Sequence, residues 1–310
     1  MKKAVHVAVG VIQRADGAIL IAKRPEHAHQ GGFWEFPGGK VEQGESVQSA
    51  LARELHEELD LTVSASRPLI QIAHDYADKS VLLDVWLVTE FSGEPHGKEG
   101  QPLRWCLPAE LSAKDFPAAN GPIILAIQLP DRYWITPEPD LAHMDLFWRR
   151  VDQVIESGVK LIQLRSKVYS SDTLKSILLE LFARASRHSV RVLVNEFVEL
   201  AAFCDGVHLT AAQLKSLPSR PLLAEKLVAA SCHSPAELAL AEFLECDFAV
   251  LSPIAHTKSH PEAVPIGWEH FANWVSGVKI PVYGLGGLNK SDLEHAWAAG
   301  AQGVAGISGF

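Results

Sequence analysis

Disulfide chemistry has little to work with in this sequence: its four cysteines, Cys106, Cys204, Cys232 and Cys246, lie far apart and none belongs to a C-x-x-C pair. That spacing fits neither a disulfide framework nor a structural zinc site, and reduced thiols in a cytoplasmic protein are expected. Positive charge is scarce as well, with 28 Lys and Arg against 37 Asp and Glu and a formal charge of −9. No broad basic face is therefore available for a nucleic-acid backbone or an anionic bilayer, and neither is expected as a partner. A polyanionic small molecule would have to be met by local cations, most economically a bound metal ion. Apolar runs long enough for a spanning helix, about 20 residues, are missing. The opening MKKAVHVAVGVI puts lysines before an apolar stretch, as a secretory signal does. However, Val5, Val7, Val9 and Val11 alternate with small or polar residues and no small-residue cleavage site follows, so the stretch reads as a first strand.

What is present is a chain of 310 residues, 47% apolar and 21% charged. It is about twice the usual single-domain length, so two domains are expected, 1–130 and 131–310. The first half reads as α+β: strands from Val5 and at Ala18 to Ala22, one marked helix, strands at Leu69 to His74 and Val81 to Phe91, then a short helical tail. From about residue 132 short β-branched runs alternate with helical segments. The runs are Tyr133 to Thr136, Lys160 to Arg165, Arg191 to Asn195, Gly206 to Leu209, Leu227 to Ser231, Phe248 to Ser252, Pro281 to Gly284 and Gly303 to Ile307. Parallel strands buried on both faces read as continuous apolar stretches, and eight of them with crossover helices predict a (β/α)8 TIM barrel. The junction is placed between Pro117 and Asp131, where Pro117, Gly121, Pro122 and Pro130 punctuate the chain.

The stretch Gly39 to Leu61 carries the most chemistry. Its helix is expected from Ser46 to Leu59, with Leu51, Leu55 and Leu59 as the core stripe. Glu54, Glu57 and Glu58 stand at i, i+3 and i+4, where like charges repel by a few tenths of a kcal/mol per pair. A magnesium ion would relieve that, since it takes carboxylate oxygens, keeps several waters and bridges to substrate phosphates. A solvated acidic face with Arg53 as partner accounts for the same three residues.

The flanking residues complete a longer pattern: Gly39, Glu45, Arg53, Glu54, Leu55, Glu57 and Glu58, closed by Leu61. This resembles the Nudix box, with Asp60 where that family usually has Gly. FWEFPGGK (Phe33 to Lys40), GEPHGKEGQP (Gly93 to Pro102) and DFPAAN (Asp115 to Asn120) extend the resemblance over most of residues 1 to 128, toward the MutT type of 8-oxo-dGTP diphosphatase. The resemblance implies a mixed sheet between helices and hydrolysis of a small-molecule nucleoside triphosphate to monophosphate and pyrophosphate, a pool-sanitising reaction, with Mg2+ or, in its place, Mn2+. Carried over by position, Gly38, Glu54, Glu57, Glu58 and Glu99 would bind metal. Glu54 would serve as general base with Glu99 as rival, Glu45 and Arg53 would support them, and Arg24 and Asn120 would contact the nucleotide. Taken alone, Asn120 reads equally as a turn residue before Gly121-Pro122.

The second half resembles the thiamine phosphate synthase and TenI family over roughly Arg132 to Phe310. YWITPE, IQLRSK, VLVNE, DGVHL, ASCHS, SPIAHTKSH and GLGGL follow in that family's order, each at the C-terminal end of an expected strand. Barrel active sites are built at those ends. The resemblance implies a thiazole or pyrimidine phosphate bound by Arg165, Lys167, Asn195, Ser231, Lys258, Gly286, Gly287 and Ser308. Two positions depart from the synthase pattern: Glu196 and Gln213 stand where carboxylates of Asp are expected, and a neutral amide is a much poorer magnesium ligand. Three readings follow: a nucleotide pyrophosphatase joined to a barrel whose second activity, if any, is thiamine phosphate synthase or a TenI-like thiazole tautomerase, a Nudix domain acting on thiamine-related diphosphates, or a barrel that senses a thiazole or pyrimidine phosphate without chemistry.

Overall fold

The computed structural model describes residues 4–26, 30–76, 80–257 and 262–310. The chain divides into two compact units, Met1–Gln128 and Leu129–Phe310. In the first, β1 (Val5–Ile12), β2 (Ile19–Lys23), β3 (Trp34–Glu35) and β4 (Gly38–Lys40) precede α1 (Val47–Leu59); β5 (Thr62–Asp75), β6 (Ser80–Ser92), β7 (Leu103–Cys106) and α2 (Gly121–Gln128) follow. The larger sheet runs β4-β1-β6-β5, with β1 and β6 parallel and the other pairs antiparallel. A smaller sheet runs β3-β2-β7. The alternation along β1 sends Ala8 and Ile12 into the cluster under α1 and Val9 and Val11 into the cluster that includes Ile123 and Ile124 of α2.

α1 forms as its sequence dictates. Ser46 Oγ accepts the Ser49 N–H at 3.1 Å and caps the start. Leu51, Leu55 and Leu59 are buried on the sheet. At the end Asp60 takes the left-handed conformation, φ 62°, where the Nudix pattern has glycine. The segment 93–101 compensates: Lys98 Nζ donates to Asp60 Oδ1 at 2.5 Å and to the His56 carbonyl at 3.1 Å. The His96 and Lys98 N–H groups take the Leu59 and Glu58 carbonyls, each at 3.0 Å. The terminal carbonyls of the helix are thus satisfied by the segment that carries Glu99.

In the second unit, β8 (Arg132–Ile135), β9 (Leu161–Leu164), β10 (Arg191–Asn195), β11 (Gly206–Leu209), β12 (Leu227–Cys232), β13 (Phe248–Leu251), β14 (Val282–Leu285) and β15 (Gly303–Gly306) close a parallel barrel. Crossovers include α3 (Met144–Glu156), α4 (Ser171–Ser186), α5 (Ala211–Ser216), α6 (Pro235–Phe243), α7 (Gly267–Val275) and α8 (Leu293–Ala298). Trp134, Ile162, Val192, Val207, Val228, Ala249, Val282 and Val304 pack outward under the helices. The alternate positions face inward: Tyr133, Phe248 and Tyr283 pack edge to face or tilted at centroid separations of 5.3–5.8 Å and fill the interior. Among the described residues, no helix is long and apolar enough to cross a membrane.

Candidate active site and barrel mouth

The helix α1 brings its acidic residues to β4 because Gly39 has no side chain. A Cβ at Gly39 would overlap the Glu54 carboxylate, so Glu54 lies directly on the strand backbone. Arg53 holds the other side of the cluster. Its Nε and Nη2 donate to Glu45 at 3.1 and 3.0 Å, its Nη1 to Glu54 at 2.8 Å and to Glu57 at 3.2 Å, and its Nη2 also to the Lys40 carbonyl at 3.0 Å. One planar guanidinium thereby fixes the loop before the helix, the strand and two carboxylates. The Arg53 bonds hold the Glu45 carboxyl below its usual range. Glu54 is 15% exposed and Glu57 58%, so Glu54 is enclosed while Glu57 faces solvent.

Glu58 is the most perturbed member. Burial first, then the charge of Glu54, pushes its carboxyl up to about 7; a backbone hydrogen bond from Gly38 opposes this, and Glu35 and Glu99 raise it further. Glu35, on β3, was not singled out from the sequence. It pairs with Arg24, yet burial still raises its carboxyl, with Glu99 adding to the effect. The signal was present, since an acid between Trp34 and Phe36 in a largely apolar run needs a partner.

Among the described residues, no three His, Cys, Asp or Glu side chains stand close enough together to hold a metal ion as they are. Arg53 draws Glu54 and Glu57 toward itself, while Glu58 lies with Gly38. The donor set nevertheless fits a hard divalent cation: four carboxylates, Glu35, Glu54, Glu58 and Glu99, are near enough for Glu58 to feel the other three, and Gly39 leaves the space in which Glu54 lies. Arg24 reaches the cluster through Glu35. Asn120 is buried in the short turn before α2, and its Nδ2 donates to the Pro117 carbonyl at 3.3 Å. That bond meets part of the turn role; it also leaves an amide oxygen with acceptor capacity. In the same segment Phe116 stacks on Phe36 at 5.2 Å.

At the C-terminal end of the barrel lies a cavity of about 1080 Å³. Arg165, Lys167, Asn195, Ser231, Gly286, Gly287 and Ser308 all line it. Lys258 lies outside the described residues. The glycines also have a packing reason: Gly286 and Gly287 take φ 112° and 69°, and a Cβ at Gly287 would meet the His256 carbonyl. Glu138 fixes the basic pair's strand end, accepting from the Ser166 hydroxyl and, at 2.8 Å, from the Lys167 N–H. His233 Nδ1 lies 2.9 Å from the Ser252 carbonyl.

The two departures from the synthase pattern have distinct structural roles. The Gln213 amide is fully engaged, its Oε1 accepting the Thr210 N–H at 3.0 Å and its Nε2 donating to the Glu196 carbonyl at 2.7 Å. Gln213 caps α5 and braces the turn at Glu196, which stands at φ 70°. The Gln213 Oε1 also accepts from the Thr210 hydroxyl at 3.3 Å, so both lone pairs are taken and none is left for a cation.

Comparison with known proteins gives each unit its relatives. The NUDIX domain family matches residues 8–126 and the thiamine monophosphate synthase family residues 132–310. The 8-oxo-dGTP diphosphatase of Escherichia coli is 41% identical over 128 residues, covering 41% of this chain and 98% of that protein. The CTP pyrophosphohydrolase of the same organism is 39% identical over 123 residues, 40% of this chain and 89% of that protein. The putative thiamine-phosphate synthase 2 of Aquifex aeolicus is 33% identical over 186 residues, 59% of this chain and 99% of that protein.

Proposed function

Because the chain belongs to the Nudix hydrolases through its first unit and to the thiamine monophosphate synthase family through its second, we propose that it is a magnesium-dependent nucleoside triphosphate pyrophosphohydrolase coupled to a phosphate-binding barrel. The substrate we favour is an oxidised purine nucleotide such as 8-oxo-dGTP, the substrate in the name of the 41% identical relative. The observation that carries this reading is the seat of the Glu54 carboxylate against the Gly39 backbone, held there by the Arg53 guanidinium that also grips Glu45. A divalent ion held there would neutralise charge on the phosphates and ease deprotonation of the attacking water. Glu54, oriented by Arg53, is placed to take the proton of the attacking water. Glu58 and, once drawn away from Arg53, Glu57 would hold the cation with Glu35 nearby, Glu99 would add charge or act as the alternative base, and Glu45 keeps Arg53 in place.

Asn120 is assigned to the purine edge, since an amide offers both a donor and an acceptor. Initial rates on 8-oxo-dGTP, dGTP, CTP and thiamine diphosphate test the assignment. Asn120→Ala is expected to lower kcat/KM for 8-oxo-dGTP about 10- to 100-fold, the cost of losing one or two buried hydrogen bonds, and to leave any thiamine diphosphate hydrolysis unchanged. Faster hydrolysis of thiamine diphosphate than of 8-oxo-dGTP would transfer the first unit to thiamine chemistry.

For the barrel, Arg165, Lys167 and the glycine turns support binding of a thiazole or pyrimidine phosphate, while the committed Gln213 argues against a magnesium-assisted displacement of pyrophosphate. We read it as a binding unit lacking full synthase chemistry.

A further inference from the structure

Inside the barrel four polar side chains form an ordered series. Gln163 Nε2 donates to the Tyr133 hydroxyl at 3.0 Å. The same hydroxyl stands 3.1 Å from His208 Nδ1, and His208 Nε2 stands 2.9 Å from Ser231 Oγ. Tyr133 and His208 are 0% and 2% exposed, so water offers them no substitute partners. A hydroxyl has one hydrogen and a neutral imidazole one N–H. Tyr133 accepts from Gln163, and its own hydrogen goes to Nδ1. His208 must then carry its hydrogen on Nε2 and give it to Ser231 Oγ. Burial and, after it, the charge of Arg165 keep the ring neutral, pulling it down to about 3. Ser231, having accepted from His208, turns its own hydrogen toward the cavity that it lines with Arg165.

We propose that Tyr133 is a positioning residue that, through His208, compels the Ser231 hydroxyl to donate into the barrel mouth, so that this point of the site takes a phosphoryl or carbonyl oxygen and rejects a ligand N–H. The proposal rests on the barrel mouth being a ligand site. Arg165 and Lys167 favour the phosphoryl oxygen, because a neutral donor beside fixed cations completes an anion site without adding charge. The opposite polarity, with Gln163 presenting its oxygen, would place a hydrogen on Nδ1 and make Ser231 an acceptor from the ligand. The two directions share the same heavy-atom positions and differ only in where the protons sit.

Nitrogen-15 NMR of the full-length, histidine-labelled protein reads the direction, with His208 assigned by comparison with His208→Asn. A bare Nδ1 and a protonated Nε2 are expected in the free protein. Tyr133→Phe removes only the hydroxyl and should release the fixed tautomer. It should also weaken binding of inorganic phosphate or pyrophosphate, titrated calorimetrically, by about 5- to 10-fold, as expected for one neutral hydrogen bond. Ser231→Ala should weaken binding similarly while leaving the His208 tautomer as it is. The double variant should bind no more weakly than Ser231→Ala, since both changes remove the same donor. A proton on Nδ1 in the unsubstituted protein, or wild-type anion binding by Tyr133→Phe, overturns the proposal. Failure of the unsubstituted protein to take up either anion instead sinks the reading of the barrel mouth as a phosphate site, and the tautomer, read without ligand, still decides the direction of the series.

Discussion

Glu54→Gln and Glu58→Gln are each expected to lower nucleoside triphosphate turnover at least about 100-fold, the usual scale for removing a general base or a metal ligand. Folding should survive both changes. For Glu58→Gln the sign follows from its environment. A carboxyl raised from 4.5 to about 7 by burial and by Glu54 contributes stability that is full below about pH 4.5 and lost as pH rises through about 7. Glutamine does not ionise, so at pH 8 without divalent ions the variant should melt no lower than the parent. Steady-state rates with saturating magnesium, set beside thermal melts, check both halves. Near-parental turnover by either variant would remove that residue from the mechanism.

Alanine at the two adjacent glycines of β4 should separate activity from stability. At Gly39 the added methyl would displace the Glu54 carboxylate, a side-chain end that can move at small cost to the fold. The expected result is a loss of turnover comparable with Glu54→Gln and a melting temperature close to the parent's. At Gly38 the methyl would meet the Ala8 carbonyl, which belongs to the β1 backbone, at φ 145° where L side chains are strained. Gly38→Ala is therefore expected to destabilise the first unit by about 1–3 kcal/mol, visible as a lower denaturant midpoint. Equal stability losses for both variants would mean that Glu54 is not seated on Gly39.

The barrel was legible because its strands are buried on both faces: all eight apolar runs became strands, none shifted by more than a residue at either end, and continuous apolar runs have few other uses in a chain of this kind. The helix Val47–Leu59 was equally plain from the four-residue leucine spacing, although Ser46, read as its first residue, is its N-cap. Strands set by pairing were harder to read. Thr62 to Arg67 is polar and half-exposed, and becomes strand through its ladder with β6, which shifts register at Ala65 and Pro68. The two- and three-residue strands β3 and β4 are too short to show periodicity, although the motif FWEFPGGK marked their place. In the site, the carboxylates of α1 were read from spacing, whereas Glu35 was marked only by its apolar neighbours Trp34 and Phe36 and its place beside Glu58 came from the fold. Tyr133 and Gln163 escaped notice as site members because a strand facing a barrel interior hides polar and apolar residues in one run.

Gln213 departs from the synthase pattern in more than its charge. Its loss of charge alone would leave a weakened ligand. The capping bonds to Thr210 and the brace on Glu196 give the residue a different occupation. Asp60 is the milder case, because Lys98 repairs the helix end that glycine would otherwise form.

Calorimetric titration of Mn2+ into the chelator-stripped full-length protein at pH 8 and pH 6 tests the central claim most directly. With Glu58 titrating near 7, its ionised fraction falls from about nine-tenths to about one-tenth between those values. The account predicts saturable binding that is about tenfold weaker at pH 6, as protons compete for the same carboxylate, and a Glu58→Gln variant in which that pH dependence is lost. Absence of saturable binding at pH 8, or binding unaltered by Glu58→Gln, would contradict it.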